Sequence, residues 1–79
     1  MKTKLLQRDS FYGPTMARRR VAAGLSIREV SRRTGVSVSR ISDYEHRKHF
    51  PTLNNFIKIE NCIRAEIEKR EREAEKYEL

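Results

Sequence analysis

Arg28-Glu-Val-Ser-Arg-Arg-Thr-Gly-Val-Ser-Val-Ser-Arg-Ile-Ser-Asp-Tyr-Glu45 is the stretch whose reading decides the fold. With the two residues ahead of it, it holds two short amphipathic segments, 26–34 and 37–45, divided by Gly35-Val36. Each segment opens on a serine, Ser26 or Ser37, whose hydroxyl can accept a hydrogen bond from a backbone N–H left free in the first helical turn. Ser26 and Glu29 also have the spacing of a capping box, in which the glutamate reaches back to the serine backbone. Gly35 stands where two helices must turn sharply, and glycine enters the left-handed conformation without a Cβ clash. Val30, Val36, Ile41 and Tyr44 supply the apolar contacts, and the small Ser31 lets the helices approach. The pattern predicts helix, tight turn, helix.

A unit of this kind holds its second helix outward, where it can enter a DNA major groove. Charge agrees with that use. The 79 residues carry a formal net charge of +7. Residues 1–50 hold 12 Lys/Arg against 4 Asp/Glu, a net of +8, whereas residues 51–79 hold 6 against 7, a net of −1. The cationic half is the half with the two short helices, as suits a surface that neutralises phosphates. A basic face that serves solubility alone is the bland alternative. The helical pattern favours duplex DNA over RNA or an anionic membrane.

A chain of this size makes one domain, near the lower limit for a self-sufficient core. Hydrophobic and charged residues each make up 37% of it, so much of its helix surface must be solvated. The single Cys62 excludes an internal disulfide, and Cys62, His46 and His49 fit no zinc spacing. No metal and no cofactor are expected. With no signal-peptide pattern and no run of about 18 apolar residues, the expected setting is cytoplasmic.

Residues 1–14 lack helical periodicity and close on the turn cluster Phe11-Tyr12-Gly13-Pro14. Lys2, Lys4 and Arg8 read as a basic arm able to follow a phosphate backbone. Leu5, Leu6, Phe11 and Tyr12 leave open a segment that packs on the body or forms a short strand. Thr15 reads as the cap of a first helix running to about Ala23 and closed by Gly24, with Met16, Arg20 and Ala23 on one side. After Lys48-His49-Phe50-Pro51-Thr52 a fourth helix begins near Leu53, where Leu53, Phe56, Ile57, Ile59 and Ile63 form an inward stripe.

Neither glycine nor proline follows, so the fourth helix is expected to reach about Tyr77, roughly 25 residues and about 37 Å long. Its stripe continues at Ile67, Ala74 and Tyr77, interrupted by Arg70, and Glu66–Arg70 and Glu68–Arg72 have the favourable i,i+4 orientation. The division is a basic arm over 1–14, a DNA-binding bundle over 15–63 and a charged helical extension over 64–79. Two readings of the extension stand. It is a solvated helix that frays, or a dimerising helix built on Ile63 and Ile67, because the stripe outlasts what a small core can use. The fold class expected is all-α, about four helices with an elongated last one.

At 100° per residue, Ser37, Ile41 and Tyr44 fall on the inner side of the third helix. Ser39, Ser42, Asp43 and His46 point outward, with Val38 and Arg40 on the flanks. Valine packs on a thymine methyl, serine bonds either base, aspartate accepts from cytosine N4, and arginine donates to guanine O6 and N7. Arg40 has a second reading as a phosphate ligand. Asp43, at i+3 from Arg40 and i−4 from Arg47, has a second reading as a carboxylate that orients an arginine. The phosphate candidates are Arg18, Arg28, Arg32, Arg33, Arg47 and Lys48, with Ser37 and the helix N-terminus behind it.

The run from Arg20 to Glu45, with its Gly-Leu-Ser, Gly-Val-Ser and Ile-Ser-Asp-Tyr-Glu segments, followed by Pro51-Thr52-Leu53, resembles the phage Cro/repressor (Xre) class of helix-turn-helix proteins. The resemblance spans Met16 to Ile63, and its weight lies in several motifs keeping register together. It implies a lambda-repressor-like bundle in which Arg20 pairs with Glu45, joining the first helix to the end of the third. It also implies that Val38 and Ser39, and one turn later Asp43, sit at base-reading positions. Three positions depart from the class. Ile27 replaces a phosphate-contacting glutamine, with Arg28 beside it; Arg47 replaces a glycine after the third helix; and no separate fifth helix follows the fourth.

The leading expectation is a sequence-specific double-stranded DNA-binding transcriptional regulator, a repressor acting as a homodimer on a palindromic operator. One recognition helix covers too few base pairs alone, so a second half-site is expected. The alternative is a protein-interaction adaptor, such as an antitoxin or a phage or mobile-element control factor, whose C-terminal helix binds a partner. No nucleophile–base pair, acidic metal cluster or phosphate-binding glycine loop points to an enzyme.

Overall fold

Residues 13–76 are described by the computed structural model, and within them four helices follow one another with no strand. They are α1 (Gly13–Ala22), α2 (Ile27–Thr34), α3 (Val38–Glu45) and α4 (Leu53–Lys76). The all-α expectation holds. The basic arm with Lys2, Lys4, Arg8, Leu5, Leu6, Phe11 and Tyr12 lies outside the described residues, as does Tyr77.

The first helix starts earlier than its sequence suggests. Gly13-Pro14 belongs to α1, because proline's fixed φ suits a first turn and its missing N–H bonds nothing there. The Thr15 hydroxyl, read above as the cap, instead accepts from Arg18 Nη2 at 3.3 Å. Gly13 is buried against the end of α3, and a Cβ on it would stand 2.1 Å from the Tyr44 carbonyl oxygen. Glycine is therefore what allows the two helix ends to touch.

Local signals in the 28–45 stretch are met closely. Ser26 Oγ accepts from the Glu29 N–H at 3.0 Å and Ser37 Oγ from the Arg40 N–H at 3.1 Å. Gly35 is left-handed at φ 82°, and its N–H closes α2 on the Ser31 carbonyl at 2.8 Å. The second half of the capping box is different. The Glu29 carboxylate is taken by Arg32 and by Arg33, the latter at 2.9 Å.

Met16, Ala23, Leu25, Val30, Val36, Ile41, Tyr44, Ile59 and Ile63 form the core, with Ile27, Phe50, Phe56, Cys62 and Ile67 packed against it. All four helices contribute. Ile41 and Ile63 have no exposed surface, and truncating either to alanine removes about 2–5 kcal/mol. Tyr44 is 1% exposed and its hydroxyl is bonded by Asn55 Nδ2 at 3.0 Å, tying α3 to α4.

Helix α4 corrects three expectations. Leu53 and Ile57 are each 45% exposed and leave the inward stripe, and Ala74 is exposed too. Ile63, assigned above to dimerisation, belongs to the monomer's own core, and Ile67 packs on that core. The stripe does not outlast the core; α2 uses it. Arg33 of α2 donates to Glu66 of α4 at 3.1 Å, and Arg70 joins Glu66 at 3.3 Å one turn on. Arg70 also lies over the α1–α2 turn, since a Cβ on Gly24 would stand 2.5 Å from its guanidinium. The 24 residues of α4 make a rod about 36 Å long at 1.5 Å per residue, and the molecule measures 50 × 26 × 19 Å.

Candidate nucleic-acid interface

The third helix is held from behind. Ile41 and Tyr44 anchor it in the core, and Glu45, 7% exposed, turns inward beside them. Arg20 of α1 meets that carboxylate with Nε at 2.7 Å from Oε2 and Nη2 at 3.0 Å from Oε1, and its Nη1 donates to the Leu25 carbonyl at 2.8 Å. The guanidinium thus joins α1, the α1–α2 turn and the end of α3. Bidentate geometry fixes the orientation of α3 as well as its distance. Removing one partner strands the other charge, at about 3–5 kcal/mol for a fully buried pair.

Such anchoring leaves the other side of α3 free. Val38, Ser39 and Arg40 are exposed, and Ser42 and Asp43 are half-buried. Val38 is 45% exposed at the first position of the helix, an apolar side chain with no place in the core. Ser37 is exposed and serves as the cap.

The basic candidates divide by what holds them. Arg18, Arg28, Arg32, Arg33, Arg47 and Lys48 are all exposed, while Arg18 donates to the Thr15 hydroxyl and Arg32 pairs with Glu29. Arg33 is bound to both Glu29 and Glu66, and those carboxylates hold its ionisation above the ordinary arginine range. Its charge is fixed in an α2–α4 clamp. Glu29 is held below the usual carboxylate range by hydrogen bonds from Arg33 and then Arg32. Arg19, not singled out by sequence, is ion-paired to Glu60.

The turn after α3 carries what sequence reasoning missed. Arg47 is left-handed at φ 62°. Its N–H donates to the Tyr44 carbonyl at 3.1 Å, and the Lys48 N–H to the Asp43 carbonyl at 2.8 Å. Those two bonds define a Schellman motif, which ordinarily places glycine where Arg47 stands. The chain reverses, and His49 Nδ1 comes to 3.2 Å from Asp43 Oδ2. His49 is thus a hydrogen-bonded partner of Asp43. The pair is six residues apart, a spacing no helical period marks. His46 points its Nδ1 at the Ser42 carbonyl, 2.8 Å away.

Among the described residues, no group of three His, Cys, Asp or Glu side chains is placed to hold a metal ion. Burial pushes the Cys62 thiol up, and the residue packs against the core. No helix of the described residues is long and apolar enough to cross a membrane. A family model described as helix-turn-helix matches residues 16–72, well over half of the chain. Neither the curated proteins nor the solved structures give a match.

Proposed function

Because the chain belongs to the helix-turn-helix family, in its Cro/Xre class, and is a DNA-binding transcription regulator, we propose that it is a repressor acting as a homodimer on a palindromic operator. The carrying observation is the outward row of α3. A helix whose inner side is fixed by Ile41, Tyr44 and the Arg20–Glu45 pair presents Val38, Ser39 and Arg40 to solvent. An exposed valine beside serine and arginine is poorly suited to solvation and well suited to a thymine methyl, a base edge and a guanine. Arg28, Arg32, Arg47 and Lys48 flank this row as phosphate ligands, and they set register rather than sequence.

Ile63 lies in the protein's own core and offers no surface to a second copy. Leu53 and Ile57, at i and i+4 on α4, are the exposed apolar pair that a second copy would cover. Bound sequences selected from a random DNA pool test the reading. The expected product is an inverted repeat with half-site centres about one helical turn apart, roughly 10–10.5 base pairs. A pool that enriches no sequence overturns it. Sedimentation of the full chain tests the homodimer, which fails if the mass stays that of one chain at high micromolar concentration.

A further inference from the structure

We propose that His49 is a positioning residue that holds Asp43 as the hydrogen-bond acceptor for a cytosine N4 amine in the major groove. The inference rests on the reading of α3 as the groove-entering helix and names a residue outside that helix as part of its specificity. Three observations converge on it. The Schellman turn folds residues 46–49 back over the end of α3, with bonds from Arg47 and Lys48 to the Tyr44 and Asp43 carbonyls. A non-glycine residue is kept at φ 62° to make that turn, a conformation that is costly for an L-residue and tends to collect at working sites. The product of the turn is the His49 Nδ1 contact with Asp43 Oδ2 at 3.2 Å.

Asp43 needs such a partner. Arg40 lies at i−3 and Arg47 at i+4, both within reach of a carboxylate on the same helical face. A carboxylate captured by either would turn away from a base edge. His49 holds Oδ2. One oxygen is fixed, and a carboxylate carries a second acceptor oxygen. The half-buried side chain enters the groove with its rotamer already set, which removes an ordering cost from binding. An acceptor-only group favours cytosine, whose groove edge carries the N4 donor, over guanine and thymine, whose edges present acceptors, and over adenine, whose N6 donor stands beside the N7 acceptor that repels a carboxylate.

The test uses the full-length protein, its selected operator and single-base variants of that operator. Thermal melts first establish that each variant is folded. Asp43→Ala identifies the base pair whose preference disappears, with an expected loss of about fivefold to 100-fold in discrimination at that pair. His49→Ala is expected to relax preference at the same pair, by about threefold or more, and at no other. His49→Asn, which puts an amide donor near the Nδ1 position, is expected to restore it. A merely structural histidine would weaken every sequence alike and would not be rescued position by position. Full preference retained in His49→Ala overturns the inference, as does uniform weakening or an Asp43→Ala variant that keeps every preference. A wild-type protein that selects no sequence overturns the regulator reading itself, and the role of His49 with it.

Discussion

Arg47 shows how far a single residue can be read. The resemblance to the Cro/repressor class implies a glycine after α3 where Arg47 stands, which leaves open a changed turn or a longer helix. The structure keeps the glycine-type turn and puts an arginine in it at φ 62°. Local chemistry cannot reveal that, because packing of α3 and α4 around Tyr44 and Asn55 forces the chain to reverse there. Ser26, Gly35 and Ser37 are legible for the opposite reason. Their partners lie within four residues, so cap and turn are written where they act. The strain gives a direct expectation. Arg47→Gly should raise stability by about 1 kcal/mol by relieving a left-handed L-residue. Urea unfolding checks it, with the midpoint moving up at unchanged slope. An unmoved or lowered midpoint shows that contacts of the Arg47 side chain outweigh its backbone cost.

At the scale of elements, α2 and α4 are joined by a clamp of Glu29, Arg33, Glu66 and Arg70. Glu66 is held below the ordinary carboxylate range chiefly by the hydrogen bond from Arg33, and Glu29 by Arg33 and Arg32. A carboxyl whose folded value is depressed contributes stability above its unfolded value. That contribution is lost as pH falls through the folded one. Thermal stability should therefore decline as pH drops below about 4.5, the ordinary glutamate value here. Arg33→Ala should lower stability at neutral pH and flatten the acid decline. An acid decline of the same steepness in Arg33→Ala means that other carboxylates carry it. Sequence finds the i,i+4 partners Glu66–Arg70, but reads Glu29 as a capping-box residue rather than a partner of Arg33 and gives no sign of the 33-residue link from Arg33 to Glu66. The same limit explains Leu53 and Ile57. Helical spacing shows that apolar residues share a face, yet five of them between Leu53 and Ile63 span too wide an arc for one neighbour to cover. The arc through Phe56, Ile59, Ile63 and Ile67 meets the rest of the bundle, and Leu53 and Ile57 fall outside it.

For the whole molecule, charge and anchoring set the behaviour. Residues 1–50 carry 12 basic against 4 acidic side chains, so DNA binding should weaken steeply with salt. With some 6–10 phosphates neutralised by the proposed dimer, affinity is expected to fall by about 10³–10⁵ between 50 and 200 mM salt. Arg32→Ala should lower affinity for all sequences alike and reduce the salt slope by about 1. A flat salt response excludes the phosphate surface. The exposure of Val38, Ser39 and Arg40 on the outer side of α3 is legible in helical spacing, whereas the fixing of Arg33 and the reach of His49 depend on distant partners. The rod α4 adds a consequence in time rather than in space. Its Ile59, Ile63 and Glu66 are buried and Arg70 still touches the α1–α2 turn, but every residue from Glu71 to Lys76 is exposed. Backbone amides in the first part are released only when the bundle opens, whereas those of 71–76 are released whenever one turn frays. In deuterated buffer the two stretches should exchange at rates differing by orders of magnitude, with the step near Arg70. Uniform protection along the whole length would mean that another surface covers the end. By the clock of hydrogen exchange, one continuous helix is two objects, and the second is free to be ordered by whatever it meets.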